Sequence, residues 1–409
     1  MTFIKFSRNF SVKWLLSAAL TLFMLSCSDK DDPAPPIEEE DNLVEATATG
    51  SRGADELKFF IELSGRDIDP AIFQYDVDVY NVVYTTTYKD QQIEASGLIF
   101  LPNTTDELPM LSFHRGTTVR QADAPSVRSK SSEEVISYTA IASMGFITVV
   151  PDMIGFGESK EIFHPYYIEE PTATAVIDML RAAASLVKEK QMNFDSRLFL
   201  AGYSQGGYIT LATHKALDAS PIEGFELVAS FPGAGGYDIT AMQQYLFGLD
   251  TYSDPYYLAY VGMSYQSYYD EPDLITDFFN DPYADNIPAL FDGIKSSGDI
   301  NAGLTEEIAA LVKADVISNF ETASQYQFLR EKFEENSLVN WMPSIPVTMY
   351  HGDADTTVPV ENSISTYENL VDAGASTDDL KLILIVDGDH GSSVEPYIED
   401  VIKKLQTLK

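Results

Sequence analysis

The chain has 409 residues, and its 63 acidic residues against 26 basic ones give a formal net charge of −37. Phosphate binding needs a basic surface, so this composition argues against nucleic acid as a partner. The single cysteine, Cys27, excludes an intramolecular disulfide. With 45% hydrophobic residues, the chain can bury one large core with an insertion, or two domains.

Residues 1–26 have the pattern of a secretory signal peptide. Basic residues without acidic ones precede the run WLLSAALTLFML at 14–25, which is too short to span a bilayer as a helix. The run continues into MLSC, which resembles a bacterial lipobox, and the resemblance implies cleavage before Cys27 and lipidation of that cysteine. Acyl chains would then be the only attachment to the membrane. The alternative is a signal peptide followed by an incidental cysteine.

Residues 27–52 are predicted to form an acidic, flexible tether, because they combine acidic residues and prolines with few large apolar side chains. Their first segment, CSDKDD, resembles the export signal of surface-displayed lipoproteins of the Bacteroidetes group. The resemblance implies a lipoprotein of the outer membrane that is exposed at the cell surface.

From residue 53 onwards, strand-like and helix-like patterns alternate, which favours an α/β fold with a largely parallel sheet. Two long strand patterns pair across the turn Tyr88–Asp90, and shorter apolar runs are typical of buried strands. Helix start and stop signals lie between these runs. The predicted strands span 77–88, 91–102, 109–116, 145–152, 197–204 and 224–233, and the predicted helices span 131–145 and 172–190, with a third beginning at Gln205.

The pattern changes over residues 238–342, which are rich in tyrosine and phenylalanine and have mostly helical periodicity. Strand patterns then resume at 345–352 and 381–388, with helices at 361–373 and 393–406. We therefore predict a core of residues 53–237 and 343–409 with a helical insertion between two adjacent strands. Insertions at the carboxyl ends of strands cover the place where such sheets bind ligands, so the insertion is interpreted as a cap or lid. The alternative is a packing subdomain that does not contact the substrate.

The segment GYSQG at 202–206 fits the pattern G-x-S-x-G and lies between a predicted strand and a predicted helix. This context is required for a nucleophile elbow, in which a sharp turn raises the serine hydroxyl above the sheet. Bulky side chains two residues before or after the serine would collide in the turn, and glycines occupy both places. Ser204 is therefore the candidate nucleophile.

A serine nucleophile needs a histidine base, and the base needs an acid to fix its tautomer. Two stretches after Ser204 follow predicted strands and supply these groups: YHGDADTTVP at 350–359 and DGDHGS at 387–392. They resemble the acid loop H-G-x-x-D-x-x-V-P and the histidine loop of the α/β-hydrolase superfamily. The resemblance covers a core of about 250 residues, with three motifs in the order serine, acid, histidine.

The resemblance implies that Ser204 is the nucleophile, Asp355 the acid and His390 the general base. Asp353 is a rival acid, but the spacing from His351 favours Asp355. The resemblance also implies an oxyanion hole, with the backbone N–H of Gln205 as one donor. The second donor is expected in the stretch SFHRGTT at 112–118, where the family has H-G-G or H-G-x.

This chain has His114-Arg115-Gly116 at that point, so Gly116 is the first candidate for the second donor and Arg115 the second. The Arg115 guanidinium is also a candidate for binding a substrate carboxylate. No histidine pair has metal-ligand spacing, and we expect neither a metal nor another cofactor.

The insertion and the motifs are most similar to the secretory-lipase and esterase branch of the superfamily. This resemblance implies hydrolysis of carboxylic esters through an acyl-enzyme, with lipid or carbohydrate esters, including acetyl or feruloyl esters, as substrates. A serine peptidase of the prolyl-oligopeptidase type is an alternative, although residues 26–76 are too few for its amino-terminal propeller. A non-catalytic surface binding protein on the same fold is a further alternative.

Overall fold

The computed structural model of the protein describes residues 42–64 and 68–409. The predicted signal peptide, the predicted lipidation site Cys27 and most of the predicted tether lie outside the described residues.

A central sheet of nine strands runs through the described chain, in the order β1-β2-β3-β5-β4-β6-β7-β8-β9. The first three strands and β5 pair antiparallel, and the remaining neighbours pair parallel. The predicted, largely parallel α/β sheet is therefore confirmed. The strands are β1 (Leu43–Arg52), β2 (Val77–Tyr88), β3 (Gln91–Pro102), β4 (Glu107–His114), β5 (Ile147–Pro151), β6 (Asn193–Tyr203), β7 (Glu226–Gly233), β8 (Val347–Gly352) and β9 (Leu380–Ile385).

The hairpin between β2 and β3 forms where the sequence predicts it. Its two loop residues, Lys89 and Asp90, have φ values of 48° and 58°. A two-residue loop with positive φ at both positions has the twist that suits a β-hairpin. The turn aligns Tyr88 with Gln91 and fixes the register of twelve residue pairs.

Strand β1 corrects the predicted tether. Residues 43–52 pair antiparallel with β2 at the edge of the sheet, although the sequence analysis placed all of 27–52 in a flexible segment. All ten residues of this edge strand are exposed or only partly buried, so it contains few large apolar side chains and its composition gives no strand signal. Helix α1 (Ala54–Ser64) follows directly, and its Leu57 is buried in the core.

Helices cover both faces of the sheet. Helices α1, α2 and α14 pack through one apolar cluster on one face, and α3 and α4 pack through a second cluster on the other. This three-layer arrangement buries the short apolar strands on both sides, as expected for parallel strands. The helices after α1 that belong to the layers are α2 (Glu133–Ser143), α3 (Glu169–Glu189), α4 (Gln205–Ala219), α13 (Val360–Asp372) and α14 (Val394–Leu408).

Eight helices lie between β7 and β8, two neighbouring strands of the sheet. Their aromatic and aliphatic side chains share a cluster with Tyr166, Tyr167 and Tyr208, so the insertion packs directly on the sheet layers. Among residues 42–64 and 68–409, no helix is both long enough and apolar enough to cross a bilayer. The inserted helices are α5 (Ile239–Phe247), α6 (Tyr256–Tyr268), α7 (Leu274–Phe278), α8 (Tyr283–Leu290), α9 (Ser297–Ala302), α10 (Ile308–Leu311), α11 (Ala314–Asn319) and α12 (Gln327–Asn336).

Candidate active site

Ser204 lies in the sharp turn between β6 and α4, with φ 58° and ψ −124°. This backbone conformation is strained for a residue with a side chain, and such strain concentrates at functional sites. The glycines on either side are required by close backbone contacts. A Cβ atom built on Gly202 lies 2.4 Å from the Gly206 carbonyl oxygen, and one built on Gly206 lies 2.0 Å from the His114 carbonyl oxygen. The turn therefore has the geometry of a nucleophile elbow.

A tyrosine of helix α14 holds the backbone of this elbow through hydrogen bonds. The Tyr397 hydroxyl accepts a hydrogen bond from the Gly202 N–H at 2.8 Å and donates to the Phe231 carbonyl at 2.7 Å. The phenol is fully buried, and both partners lie at the ends of parallel strands. A residue 195 positions away thus holds the backbone beside Ser204.

The three residues predicted for the triad lie in one hydrogen-bonded chain. The Ser204 Oγ atom is 2.9 Å from Nε2 of His390, and Nδ1 of His390 is 2.6 Å from Oδ2 of Asp355. Ser204 and Asp355 are buried, and the His390 side chain is 18% exposed. Asp355 follows β8 and His390 follows β9, so the carboxyl ends of neighbouring parallel strands bring the three groups together.

The Asp355 carboxylate is held by backbone and histidine donors. Its Oδ1 accepts from the N–H groups of Thr357 and Val358, and its Oδ2 lies 3.3 Å from Nε2 of His351. Burial alone would raise the pKa of Asp355, but hydrogen bonds from His351 and His390 outweigh it and hold that pKa well below its usual range. The carboxylate is therefore ionised at neutral pH. The rival Asp353 is exposed.

The loop that carries His390 is fixed on both sides of the imidazole. The Tyr203 hydroxyl donates to the His390 carbonyl at 2.9 Å, and the two rings are 5.4 Å apart. The exposed Asp389 accepts from the N–H groups of Gly391 and Ser392 and braces the turn that follows. Asp389 is thus a brace of this loop.

The three residues predicted for the oxyanion hole differ in their positions relative to Ser204. Gln205 is the first residue of α4, and the first N–H groups of a helix have no intrahelical partner. A Cβ atom built on Gly116 lies 3.8 Å from the Ser204 Cβ atom, so the Gly116 backbone passes beside Ser204. The Arg115 side chain is turned inward: it donates to the carbonyls of Gly116 and Asp152 and lies over the Phe156 ring. Its guanidinium is therefore engaged inside the protein, against the alternative that it binds a substrate carboxylate.

His164 is a further candidate functional residue, for which the sequence contains no motif. Its Nδ1–H donates to the Ile154 carbonyl, which leaves Nε2 to accept from the Gln205 side-chain amide at 2.6 Å. Burial, together with the charge of Arg115, lowers the pKa of His164 to about 3, so the imidazole stays neutral and keeps this acceptor. Spacing in the sequence gives no signal for a contact between residues 41 positions apart.

The other buried histidines are structural. The His114 Nδ1–H donates to Thr210, whose hydroxyl donates in turn to the Gly206 carbonyl, which links β4 to the elbow helix. His214, on the same helix, hydrogen-bonds Ser230. Burial lowers the pKa of His114 to about 3 and that of His214 to about 4. Among the described residues, no three His, Cys, Asp or Glu side chains are grouped to hold a metal ion.

Two cavities meet at Ser204. The inner pocket is narrow, with a volume of about 120 Å³, and extends from Ser204 into the inserted helices. The outer groove is wider, about 910 Å³, and runs from Ser204 and His390 between α1, α2 and α14. Tyr257 lines both cavities. The apolar residues that line the inner pocket include Leu246, Phe247, Leu258, Val261, Phe278 and Phe333.

The fold is shared with several solved structures. A Legionella pneumophila protein described as a hydrolase superposes with a TM-score of 0.79 at 24% identity, over 90% of this chain and 98% of that one. The rice cell wall degrading esterase LipA of Xanthomonas oryzae gives 0.73 at 23% identity, over 90% and 97%. Candida antarctica lipase A gives 0.61 at 14% identity, over 86% and 77%. The chain therefore has the α/β-hydrolase fold.

Family membership follows from the sequence comparison. Residues 121–382 match the family model of the secretory lipases, and the chain belongs to that family. Lipase 6 of Candida albicans is 25% identical over 251 residues, which cover 56% of this chain and 49% of that lipase. The chain thus spans about half the length of this curated relative.

Proposed function

We propose that the protein is a serine hydrolase that cleaves carboxylic esters through an acyl-enzyme. The hydrogen-bonded chain from Ser204 through His390 to Asp355, at the mouth of an apolar pocket, carries this proposal. Membership of the secretory lipase family and the likeness of the fold to esterases support it.

The geometry supports a defined role for each residue. Because Asp355 accepts from Nδ1–H of His390, Nε2 is left as a base that removes the Ser204 proton as Oγ attacks the ester carbonyl. The carbonyl oxygen becomes an oxyanion, and the backbone N–H groups of Gln205 and Gly116 stabilise it. The backbone N–H of Arg115 is the alternative to that of Gly116. His390 then protonates the leaving alcohol, and water attacks the acyl-enzyme with His390 again as the base.

The inserted helices supply the acyl side of the substrate site in this proposal. The inner pocket begins at Ser204, and apolar side chains of α5, α6, α7 and α12 line it. An acyl chain is the part of an ester that such a lining binds, because burial of each methylene contributes about 0.8 kcal/mol. The insertion, predicted over 238–342, is accordingly proposed to act as the cap of the hydrolase core.

The location of the protein is part of the same proposal. We infer that it is exported and held at the outer membrane by lipid on Cys27. The secretory lipase family supports export, and the lipobox-like sequence supports the lipid anchor. Incorporation of labelled palmitate into the wild-type chain, and its loss in Cys27→Ala, is the expected result. Equal labelling of both chains would contradict the anchor and leave the hydrolase proposal untouched.

Purified protein assayed on p-nitrophenyl butyrate tests the enzymatic proposal. We expect hydrolysis by the wild type, covalent labelling by a fluorophosphonate probe, and loss of both in Ser204→Ala. The variant removes one hydroxyl and should keep the unfolding midpoint in urea, which serves as its control. Equal inactivity of the two proteins, with no labelling of either, would overturn the proposal and favour a binding protein. Hydrolysis of peptides in place of esters would favour a serine peptidase.

A further inference from the structure

The two cavities at Ser204 differ in their relation to His390. Ser204 lines both of them, whereas His390 and Gly116, in the described chain, line the outer groove and do not line the inner pocket. The proposed base His390 and the proposed oxyanion donor Gly116 therefore lie on the same side of Ser204, the side of the outer groove. This asymmetry decides which half of an ester occupies each cavity.

The chemistry of the proposed reaction requires the alcohol half to lie beside His390. In acylation, Nε2 of His390 carries the proton taken from Ser204, and the C–O bond breaks as that proton moves to the alkoxy oxygen. Proton transfer needs a heavy-atom distance of about 3 Å, so the alkoxy oxygen must lie within reach of Nε2. The acyl chain then extends into the inner pocket, and the alcohol extends into the outer groove.

The outer groove has the lining of a site for an apolar group. Side chains of three helices form its walls, and they are predominantly aliphatic or aromatic. Those that face it are Phe60 and Ile61 of α1, Ile136 of α2, and Val394, Ile398 and Ile402 of α14. Burial of apolar surface favours an occupant of the same character.

The charges along the groove oppose the binding of an anionic alcohol. Glu133, Glu134, Glu395 and Glu399 lie along it, and the guanidinium of Arg115 is engaged with backbone carbonyls inside the protein. Within residues 42–64 and 68–409, a phosphorylated headgroup would meet four carboxylates, of which Glu134 is paired with Arg128, and the cation of the lining, Arg115, already donates to two carbonyls. An uncharged alcohol with an apolar body meets neither problem.

We propose that the outer groove is a binding site for the alcohol half of the ester, and that the enzyme selects uncharged esters of large apolar alcohols. The proposal rests on the serine-esterase function proposed above and assigns a second specificity site to it. Two of the three walls, α1 and α14, lie outside residues 121–382, so the family match does not define this site.

Ethyl, butyl and hexyl acetate test the proposal, because they share the acid and have unbranched primary alcohols. Acetate release gives kcat/KM for each ester. Methylenes buried in the groove stabilise the transition state, so we expect kcat/KM to rise at least tenfold from ethyl to hexyl acetate in the wild type.

Phe60 and Phe59 provide a matched pair of variants. They are neighbours on α1 and are 40% and 57% exposed, but only Phe60 lines the groove. We expect Phe60→Ser to reduce the rise about threefold or more and Phe59→Ser to leave it unchanged. Both side chains are exposed, so neither variant should unfold. Ile398→Ser, on α14, provides a second test of the same loss.

The outcomes separate this proposal from the function on which it rests. If the wild type cleaves all three acetates with equal kcat/KM, or if Phe59→Ser and Phe60→Ser reduce the rise equally, the groove proposal is overturned and the esterase remains. A wild type that cleaves no ester overturns the proposed function itself. An increase in kcat/KM with acyl length, measured with ethyl esters of longer acids, but without an increase along the three acetates, also contradicts the groove proposal.

Discussion

Gly206 offers a direct test of how the elbow is built. In Gly206→Ala, the added Cβ atom would lie 2.0 Å from the His114 carbonyl oxygen, 2.8 Å from its carbon and 2.9 Å from the Arg115 carbonyl oxygen. All three are backbone atoms, so no side-chain rotation relieves the contact. Ordinary contact begins at 3.4 Å, which means that the two segments must separate by about 1.4 Å, the difference between 3.4 and 2.0 Å.

The displaced segment leads directly into Gly116, the candidate oxyanion donor. A shift of about 1 Å in a catalytic group reduces the rate about 10²-fold, and loss of one oxyanion donor reduces it about 10²- to 10³-fold. We therefore expect kcat/KM on p-nitrophenyl butyrate to fall about 10²- to 10³-fold in Gly206→Ala. Overpacking of this kind also lowers the free energy of unfolding by about 1–3 kcal/mol.

Initial rates and urea unfolding of the same preparations measure both effects. Gly50→Ala is the matched control, because a Cβ atom at Gly50 meets nothing within 4 Å, and its activity should equal that of the wild type. A folded Gly206→Ala with wild-type kcat/KM would refute the inference that the contact of Gly206 with the backbone of His114 and Arg115 positions Gly116.

Three further predictions concern acid stability, the support of Gln205 and the inner pocket. Burial lowers the pKa of His114 and His164 to about 3 and that of His214 to about 4, whereas the unfolded histidines titrate near about 6.5. The unfolded state therefore binds more protons below about pH 6.5. Each histidine should lower the free energy of unfolding by about 2 kcal/mol at about pH 5 relative to pH 7.5, as measured by urea unfolding. A free energy of unfolding that does not change between these pH values would contradict this prediction. His164→Phe removes the acceptor for the Gln205 amide and should lower kcat about tenfold with little change in KM, and an unchanged kcat would show that this hydrogen bond does not position Gln205. Val261→Trp should block the inner pocket and lower kcat/KM for p-nitrophenyl octanoate at least tenfold relative to kcat/KM for p-nitrophenyl acetate. An unchanged ratio of the two kcat/KM values would show that the pocket does not bind the acyl chain.

The sequence was sufficient to predict eight of the nine strands of the described sheet, the helices α2, α3, α4, α13 and α14, and the residues that lie in one hydrogen-bonded chain. This was possible because strand periodicity is local, and because parallel strands bring their carboxyl ends to one edge of the sheet. Ser204, Asp355 and His390 each follow such a strand.

The supporting contacts could not be predicted, because they join segments that are far apart in the chain. Tyr397 looks like an ordinary apolar position of an amphipathic helix until its hydroxyl is placed against Gly202. His164 contacts Gln205 in the same way, through a loop whose path is decided by packing. Strand β1 was missed for a different reason: its stability comes from pairing with β2, which composition does not reveal.

The dependence of the elbow on α14 has a consequence for biosynthesis. A ribosome makes Ser204 well before it makes Asp355, His390 and Tyr397, which all follow the inserted helices. A nascent chain that ends before β8 contains Ser204 but neither His390 nor Tyr397, whose phenol holds the Gly202 backbone. Under the proposed mechanism, the order of the segments along the chain delays hydrolysis until β8, β9 and α14 have been made, and we expect incomplete chains inside the producing cell to leave its own esters intact.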